Sequence, residues 1–199
     1  AMEQASNGAD PSFGIDVQLT DEELYSHELS QMVCGEQGTC ESAEDMWLNE
    51  GWATFCQMYY ASSVYGEEAY RDQMRHHLKE VLRITHFTDG DYLALYGIPH
   101  QYTYGSTVYD KGATVVQSLR GYLGDEVFFP AVKEYLNTYS YNYASSENMR
   151  DFISNYTGVD MTDFFQDYVF TPGFSHFSVD SIHHVRGDDF QITLPKIHG

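Results

Sequence analysis

Two short segments at a fixed separation constrain this chain more than any other feature. The first is His27-Glu28-Leu29-Ser30-Gln31, and the second is Trp47-Leu48-Asn49-Glu50-Gly51. Thr20-Asp21-Glu22-Glu23 has the form of a capping box, which predicts that a helix begins just before the first segment. Residues four apart on a helix share one face, so positions 27 and 31 point the same way. The spacing predicts two consecutive helices, with His27 on the first and Glu50 on the second.

The residue types in these segments predict a metal site. In the pattern H-E-x-x-H the two histidines bind zinc and the intervening Glu acts as a general base. We therefore predict His27 as a zinc ligand, Glu28 as the general base, and Glu50 as a further ligand from the second helix. The second histidine would fall at position 31, where the sequence has Gln31.

Gln31 makes the metal site doubtful. Zinc in proteins is bound by Cys, His and carboxylate side chains, whereas the Gln side chain is neutral. Either the Gln31 oxygen coordinates the ion, or a ligand is lost. In that case affinity falls by at least roughly 10–100-fold, which is already the cost of losing a residue that only hydrogen-bonds to a metal ligand. The sequence leaves both alternatives open.

A third segment, Tyr104-Gly-Ser-Thr-Val-Tyr109-Asp-Lys111-Gly112-Ala113, makes a family resemblance specific. The three segments resemble, in the same order, H-E-L-x-H, W-L-N-E-G-[FW]-A and Y-x-K-G-A of the membrane alanyl aminopeptidase family. These are gluzincin peptidases that include aminopeptidase N. Later landmarks of the family are similar to positions 119–120, 124–129 and 170–173. The resemblance covers roughly positions 1 to 180.

The resemblance implies roles for three further residues. Tyr109 matches the tyrosine that donates a hydrogen bond to the oxyanion of the tetrahedral intermediate, a task suited to a preorganised phenol. Tyr104 matches a tyrosine that lines the substrate site. Ala1-Met2-Glu3-Gln4 resembles the last part of G-x-M-E-N, so Glu3 matches the Glu that holds the free amino group of the substrate. The alternatives are that the tyrosines, two of 17, belong to core or surface, and that Glu3 lies in a frayed terminus.

Two function hypotheses follow. The resemblance implies an aminopeptidase that binds one zinc ion and removes N-terminal residues from peptides by a zinc-activated water. The alternative is a catalytically impaired relative that kept the fold as a peptide-binding or scaffold domain. Its basis is Gln31 together with Met32-Val33-Cys34-Gly35-Glu36, where the aromatic pair usual in the family is absent.

The resemblance and the periodicity together predict a mainly α fold, a thermolysin-like helical catalytic domain with a short C-terminal β-hairpin. We expect the catalytic domain, truncated at its N-terminus, over 1–174 and the hairpin, as the start of a following β-sandwich, over 175–199. The hairpin turn is predicted at Arg186-Gly187-Asp188. Helices are predicted at about 43–64, 67–84, 106–123, 126–140, 146–156 and 161–170, with a long loop at 85–105. His76 and His77, adjacent on the third helix, diverge by ~100° and are expected at the surface.

The composition narrows the classes of partner that this chain can bind. The net charge of −20 argues against nucleic acid, because contacts to phosphate need Lys and Arg. The sequence contains no stretch of ~18 consecutive apolar residues, so no membrane-spanning helix is predicted. The sequence leaves the compartment and the oligomeric state open.

Overall fold

The structure, a computed structural model, describes residues 25–30, 39–174, 176–177, 179, 181–187, 189–193 and 196–197. It is mainly helical with a short antiparallel hairpin near its C-terminal end, which confirms the predicted fold class. The division into a catalytic domain and a following domain stays a prediction. The capping box at 20–23 lies outside the described residues.

Eight α-helical segments make up most of the described chain. Helix α1 covers residues 25–30, within the first predicted helix. The others are α2 (Trp47–Tyr65), α3 (Glu67–Arg83), α4 (Thr85–Thr88), α5 (Gly112–Leu123), α6 (Asp125–Thr138), α7 (Ser146–Thr157) and α8 (Thr162–Phe165). Short 3-10 turns lie at Ala43–Asp45 and His100–Tyr102, and π-helical turns at Thr107–Lys111 and Gln166–Phe170. None of the described helices is long and apolar enough to cross a membrane.

Six short strands in the described part of the chain form three two-stranded ladders. Strand β1 (Thr39–Cys40) pairs in parallel with β2 (Tyr143–Ala144). Strands β3 (His176–Phe177), β4 (Ser181–Arg186), β5 (Asp189–Thr193) and β6 (Lys196–Ile197) follow. Antiparallel pairs form between β4 and β5 and between β3 and β6. Gly187, with φ of +59°, lies in the turn between β4 and β5, where the sequence predicts it.

Helix α2 is the centre of the hydrophobic core. Its buried side chains lie on several faces, which is the pattern of a helix packed on most sides. Trp52 stacks on Phe128 of α6 with ring centroids 6.0 Å apart, and Phe55 meets the same ring edge-on at 5.9 Å. These contacts fix the axis of the helix that carries Glu50.

Polar bonds fix the beginning of α2. The indole Nε1 of Trp47 donates to Ser146 Oγ at 2.9 Å, at the first turn of α7. Asp45 Oδ1 accepts from the backbone N–H of Ser146 at 2.8 Å and from its hydroxyl at 2.5 Å. Burial raises the pKa of Asp45, opposed by these two bonds. All three residues are buried, so the start of α2 is tied to a segment about 100 residues away.

A pair of glycines sets how closely α2 approaches α5. A Cβ on Gly51 would lie 2.8 Å from Gly112 Cα, and a Cβ on Gly112 would lie 2.9 Å from Gly51 Cα. Real Cβ atoms do not approach backbone so closely, so both positions need glycine. Because Gly51 follows Glu50 and Gly112 begins α5, directly after the π-helical turn with Tyr109, the crossing holds these two segments side by side.

The bounds of most helices confirm the predictions to within a few residues. The helix predicted at about 43–64 is the 3-10 turn at Ala43–Asp45 followed by α2, which ends before Gly66. Pro130 is the sixth residue of α6. The segment predicted as a loop at 85–105 contains α4 and a 3-10 turn. The helix predicted at about 106–123 begins with a π-helical turn that the sequence did not indicate.

Candidate active site

Three separate segments bring an imidazole, a carboxylate and a phenol together. His27 from α1 directs Nε2 toward Glu50 Oε2 of α2 at 3.4 Å. The ring of Tyr109, from the π-helical turn, stacks on the His27 ring with centroids 6.0 Å apart and planes at 28°. His27 and Glu50 are both buried. The sequence predicted each as a site residue, and they are neighbours in space although Tyr109 lies far along the chain.

The phenol of Tyr109 is held in its protonated form. Burial raises its pKa well above the ordinary value, and the Glu50 carboxylate raises it further through its charge and a hydrogen bond. A phenol bonded to a carboxylate acts as the donor. The hydroxyl therefore keeps its proton at neutral pH and donates it in a hydrogen bond to Glu50.

Glu28 and Tyr104 border the same site from the solvent side. Glu28 is exposed on α1, and Tyr104 is 70% exposed just before the π-helical turn. Tyr104, once ionised at high pH, and the Glu28 carboxylate add smaller repulsions to the rise in the pKa of Tyr109, after burial and Glu50. Both side chains are exposed and therefore open to a ligand from solvent.

Two predicted site residues, Gln31 and Glu3, lie outside the described residues. The same holds for the altered segment at 32–36. Their predicted roles stay predictions.

The donor set fits part of a zinc site. Imidazole nitrogen and carboxylate oxygen are ligand types that zinc takes in three-ligand catalytic sites. Among the residues that the structure describes, no three His, Cys, Asp or Glu side chains are grouped so as to hold a metal. His27 and Glu50 thus offer two donor atoms of types that zinc takes. Their role as ligands stays a prediction, as does that of Gln31, which lies outside the described residues.

The prediction that His77 is a surface residue is wrong. Its side chain is 16% exposed, and Nδ1 lies 2.5 Å from Asp110 Oδ1. The ~100° between adjacent helix positions does not tell which of the two histidines faces inward. Which face of α3 packs on the Tyr109 segment is decided by tertiary structure, and an Asp directly after the motif Tyr was the only available signal.

Lys111 is a second residue that sequence reasoning left without a function. It is buried, and Nζ donates to the Leu93 carbonyl at 2.7 Å. Desolvation lowers its pKa to about 8. The ammonium thus ties the end of the π-helical turn to the segment that follows α4.

Comparison with known proteins gives a family match over most of the chain. Residues 14–168 match the family described as "Peptidase family M1 domain". The matched range includes both predicted metal-site helices and the Tyr109 segment.

Curated relatives and a solved structure agree with this match. "Probable aminopeptidase 1" of Sulfurisphaera tokodaii is 26% identical over 189 residues, covering 92% of this chain and 23% of the relative. "Aminopeptidase 2, mitochondrial" of Saccharomyces cerevisiae is 29% identical over 163 residues, 79% of this chain and 17% of the relative. This chain therefore spans less than a quarter of each relative's length. The M1 zinc metallopeptidase of Deinococcus radiodurans shares the fold, with a TM-score of 0.66 at 20% identity over 74% of this chain and 32% of the other.

Proposed function

Because the chain belongs to the peptidase family M1 domain family, we propose that it is a zinc metallopeptidase of the aminopeptidase type. Its substrates would be peptides with a free N-terminus. The observation that carries the proposal is the meeting of His27 and Glu50, both buried, with the partly buried Tyr109, from three separate segments. The printed names of the relatives, which are aminopeptidases, support the same class.

The predicted metal ligands and Glu28 each have a role in this proposal. His27 and Glu50 would hold the metal, with Gln31 completing the set. Bound zinc supplies Lewis acidity, which polarises a carbonyl group and makes water acidic near neutral pH. Glu28, exposed beside the site, would take the proton of the attacking water.

The tyrosines and Glu3 would act on the substrate. Tyr109 would donate its hydrogen bond to the oxyanion that forms when the peptide carbonyl is attacked, because a preorganised phenol is a suitable donor to developing negative charge. Tyr104 would contact the substrate at the exposed edge of the site. Glu3 would pair with the substrate's amino group.

A second candidate function rests on a single observation, the Gln at position 31. If Gln31 cannot bind zinc, the remaining arrangement is a peptide-binding domain without turnover. The two candidates differ first in metal content, which can be measured without a substrate.

The test is zinc stoichiometry by elemental analysis after zinc loading and desalting, followed by hydrolysis of alanyl and leucyl arylamides. We expect about one zinc per chain, turnover, and a Glu28→Gln variant that keeps the metal and loses turnover. No retained zinc in the wild type, with zinc and turnover gained by Gln31→His, would reject the first candidate in favour of the second. Zinc retained without turnover would also reject the aminopeptidase.

A further inference from the structure

The π-helical turn that carries Tyr109 is attached to its surroundings at both ends. At its start, the backbone N–H of Thr107 donates to Asp89 Oδ2 at 2.6 Å, and both residues are buried. At its end, Lys111 Nζ donates to the Leu93 carbonyl at 2.7 Å. π-helical turns are rare and occur frequently at functional sites. These two bonds fix where the turn begins and ends.

Asp110, the residue after Tyr109, is held through both of its carboxylate oxygens. Oδ1 lies 2.5 Å from Nδ1 of His77 on α3. Oδ2 accepts a short hydrogen bond from the Ser106 hydroxyl. The Ser106 hydroxyl in turn lies 3.0 Å from Thr85 Oγ1 of α4. The side chains of His77 and Asp110 are only 16% and 17% exposed, so solvent competes weakly for these bonds.

The order of this network excludes nucleophilic catalysis by its serine. In a serine hydrolase the histidine lies between serine and carboxylate, so that it can take the hydroxyl proton. Here the carboxylate lies between the serine and the histidine. An ionised carboxylate only accepts, so Nδ1 of His77 carries the proton in this bond. The network therefore holds Asp110 in place and does not activate Ser106.

We propose that His77 and Asp110 are positioning residues for Tyr109. Asp110 is joined covalently to Tyr109, so the bond to His77 fixes the rotation of the turn and directs the phenol toward Glu50. The inference rests on the proposed function, because the position of Tyr109 affects catalysis only if the phenol binds the oxyanion. Neither His77 nor Asp110 touches the substrate in this scheme.

Loss of the His77 bond has a specific consequence. Without it, the turn keeps its bonds to Asp89 and Leu93 at its two ends but loses the bond that joins Asp110 to α3. The phenol of Tyr109 then samples more than one position. A misplacement of ~1 Å costs roughly 100-fold in rate. We expect kcat to fall by about 10–100-fold in His77→Ala, with KM nearly unchanged.

The experiment compares His77→Ala with two further variants of α3. His77→Asn keeps an N–H donor near the position of Nδ1 and is expected to restore most of kcat. His76→Asn is the matched control, since it removes the neighbouring imidazole and leaves the bond to Asp110. Far-ultraviolet circular dichroism verifies that each variant is folded, and Ser106→Ala, which removes the other bond to Asp110, gives a second perturbation if His77→Ala is unfolded.

A readout that needs no turnover accompanies the kinetics. 3-Fluorotyrosine placed at position 109 of each variant gives one fluorine resonance in the wild type, and His77→Ala should shift or split it. His77→Asn and His76→Asn should leave it close to that of the wild type. An unchanged resonance in both His77→Ala and Ser106→Ala, or an equal effect of His76→Asn, would overturn the inference. An inactive wild type with the expected fluorine response would reject the proposed function and support the positioning of Tyr109 by His77.

Discussion

Replacing Gly51 with Ala tests whether the crossing of α2 and α5 depends on a missing side chain. The added Cβ would lie 2.8 Å from Gly112 Cα and 3.1 Å from the Val108 carbonyl oxygen. Carbon atoms in contact prefer about 3.5–4.0 Å. Because the opposing atoms are backbone, no side chain can rotate away, and the helices must separate by about 1 Å.

The expected cost is the difference between two terms. Overpacking of a close contact costs about 1–3 kcal/mol, and the upper half of that range applies where backbone must move. Alanine gains up to about 1 kcal/mol over glycine from its higher helix propensity. The free energy of unfolding should therefore fall by about 1–2 kcal/mol in Gly51→Ala.

Gly121→Ala is the matched control for this prediction. Gly121 lies in α5, and a Cβ built on it meets nothing within 4 Å. The same substitution there should stabilise the protein by up to about 1 kcal/mol, because only the propensity term remains. The two variants are chemically identical changes, so their difference isolates the crossing.

The assay is urea unfolding together with thermal unfolding of the wild type and both variants. For a chain of this length, 1 kcal/mol corresponds to about 2–4 °C, so Gly51→Ala should melt roughly 2–8 °C lower. If Gly51→Ala is as stable as Gly121→Ala, the close approach of the two helices is not what sets their packing. The explanation of how Glu50 and Tyr109 come together would then fail.

Two other buried polar side chains, Lys111 and Ser146, lead to predictions about the free energy of unfolding. Lys111 has its pKa lowered to about 8 from 10.5, so the unfolded chain binds more protons between those values and stability rises with pH there. The gain should reach about 3 kcal/mol relative to Lys111→Met, measured by urea unfolding from pH 7 to pH 11; parallel pH profiles would contradict it. Ser146→Ala should cost about 2 kcal/mol, because it leaves the Trp47 indole N–H without its acceptor and removes the hydroxyl bond to Asp45. Unfolding at the wild-type urea midpoint would show that the start of α2 does not depend on these bonds.

The sequence predicted the helices and strands better than it predicted the contacts between them. The bounds of α2 follow from a run of apolar residues that ends at Gly66, where φ is +91°. Such signals are local and can be read from a single sequence. The parallel pairing of β1 with β2 joins residues about 100 positions apart through two residues each, and no periodicity marks it. The π-helical turn is likewise invisible, because a shift of one hydrogen-bond register depends on the side chains that hold it.

The candidate site shows the same contrast between local signals, which the sequence reveals, and long-range contacts, which it does not. Motif spacing and resemblance together predicted His27, Glu50 and Tyr109, and the structure brings all three together. His77 was missed because its importance comes from a bond to a residue 33 positions away. Sequence patterns identify groups that act through fixed spacing on one helix, and they miss groups whose partners come from another element.

The segment Tyr109-Asp110-Lys111-Gly112 shows why an intact motif says little about turnover. Each of its four residues contacts a different neighbour. In chain order, these neighbours are Glu50, helix α3, the segment after α4, and the backbone of α2. Three of these contacts belong to the fold, and only the tyrosine faces the site. A chain that lost catalysis would still need Gly112 to keep α2 and α5 packed. We therefore predict that turnover depends on whether the chain binds zinc with Gln at position 31 in place of imidazole.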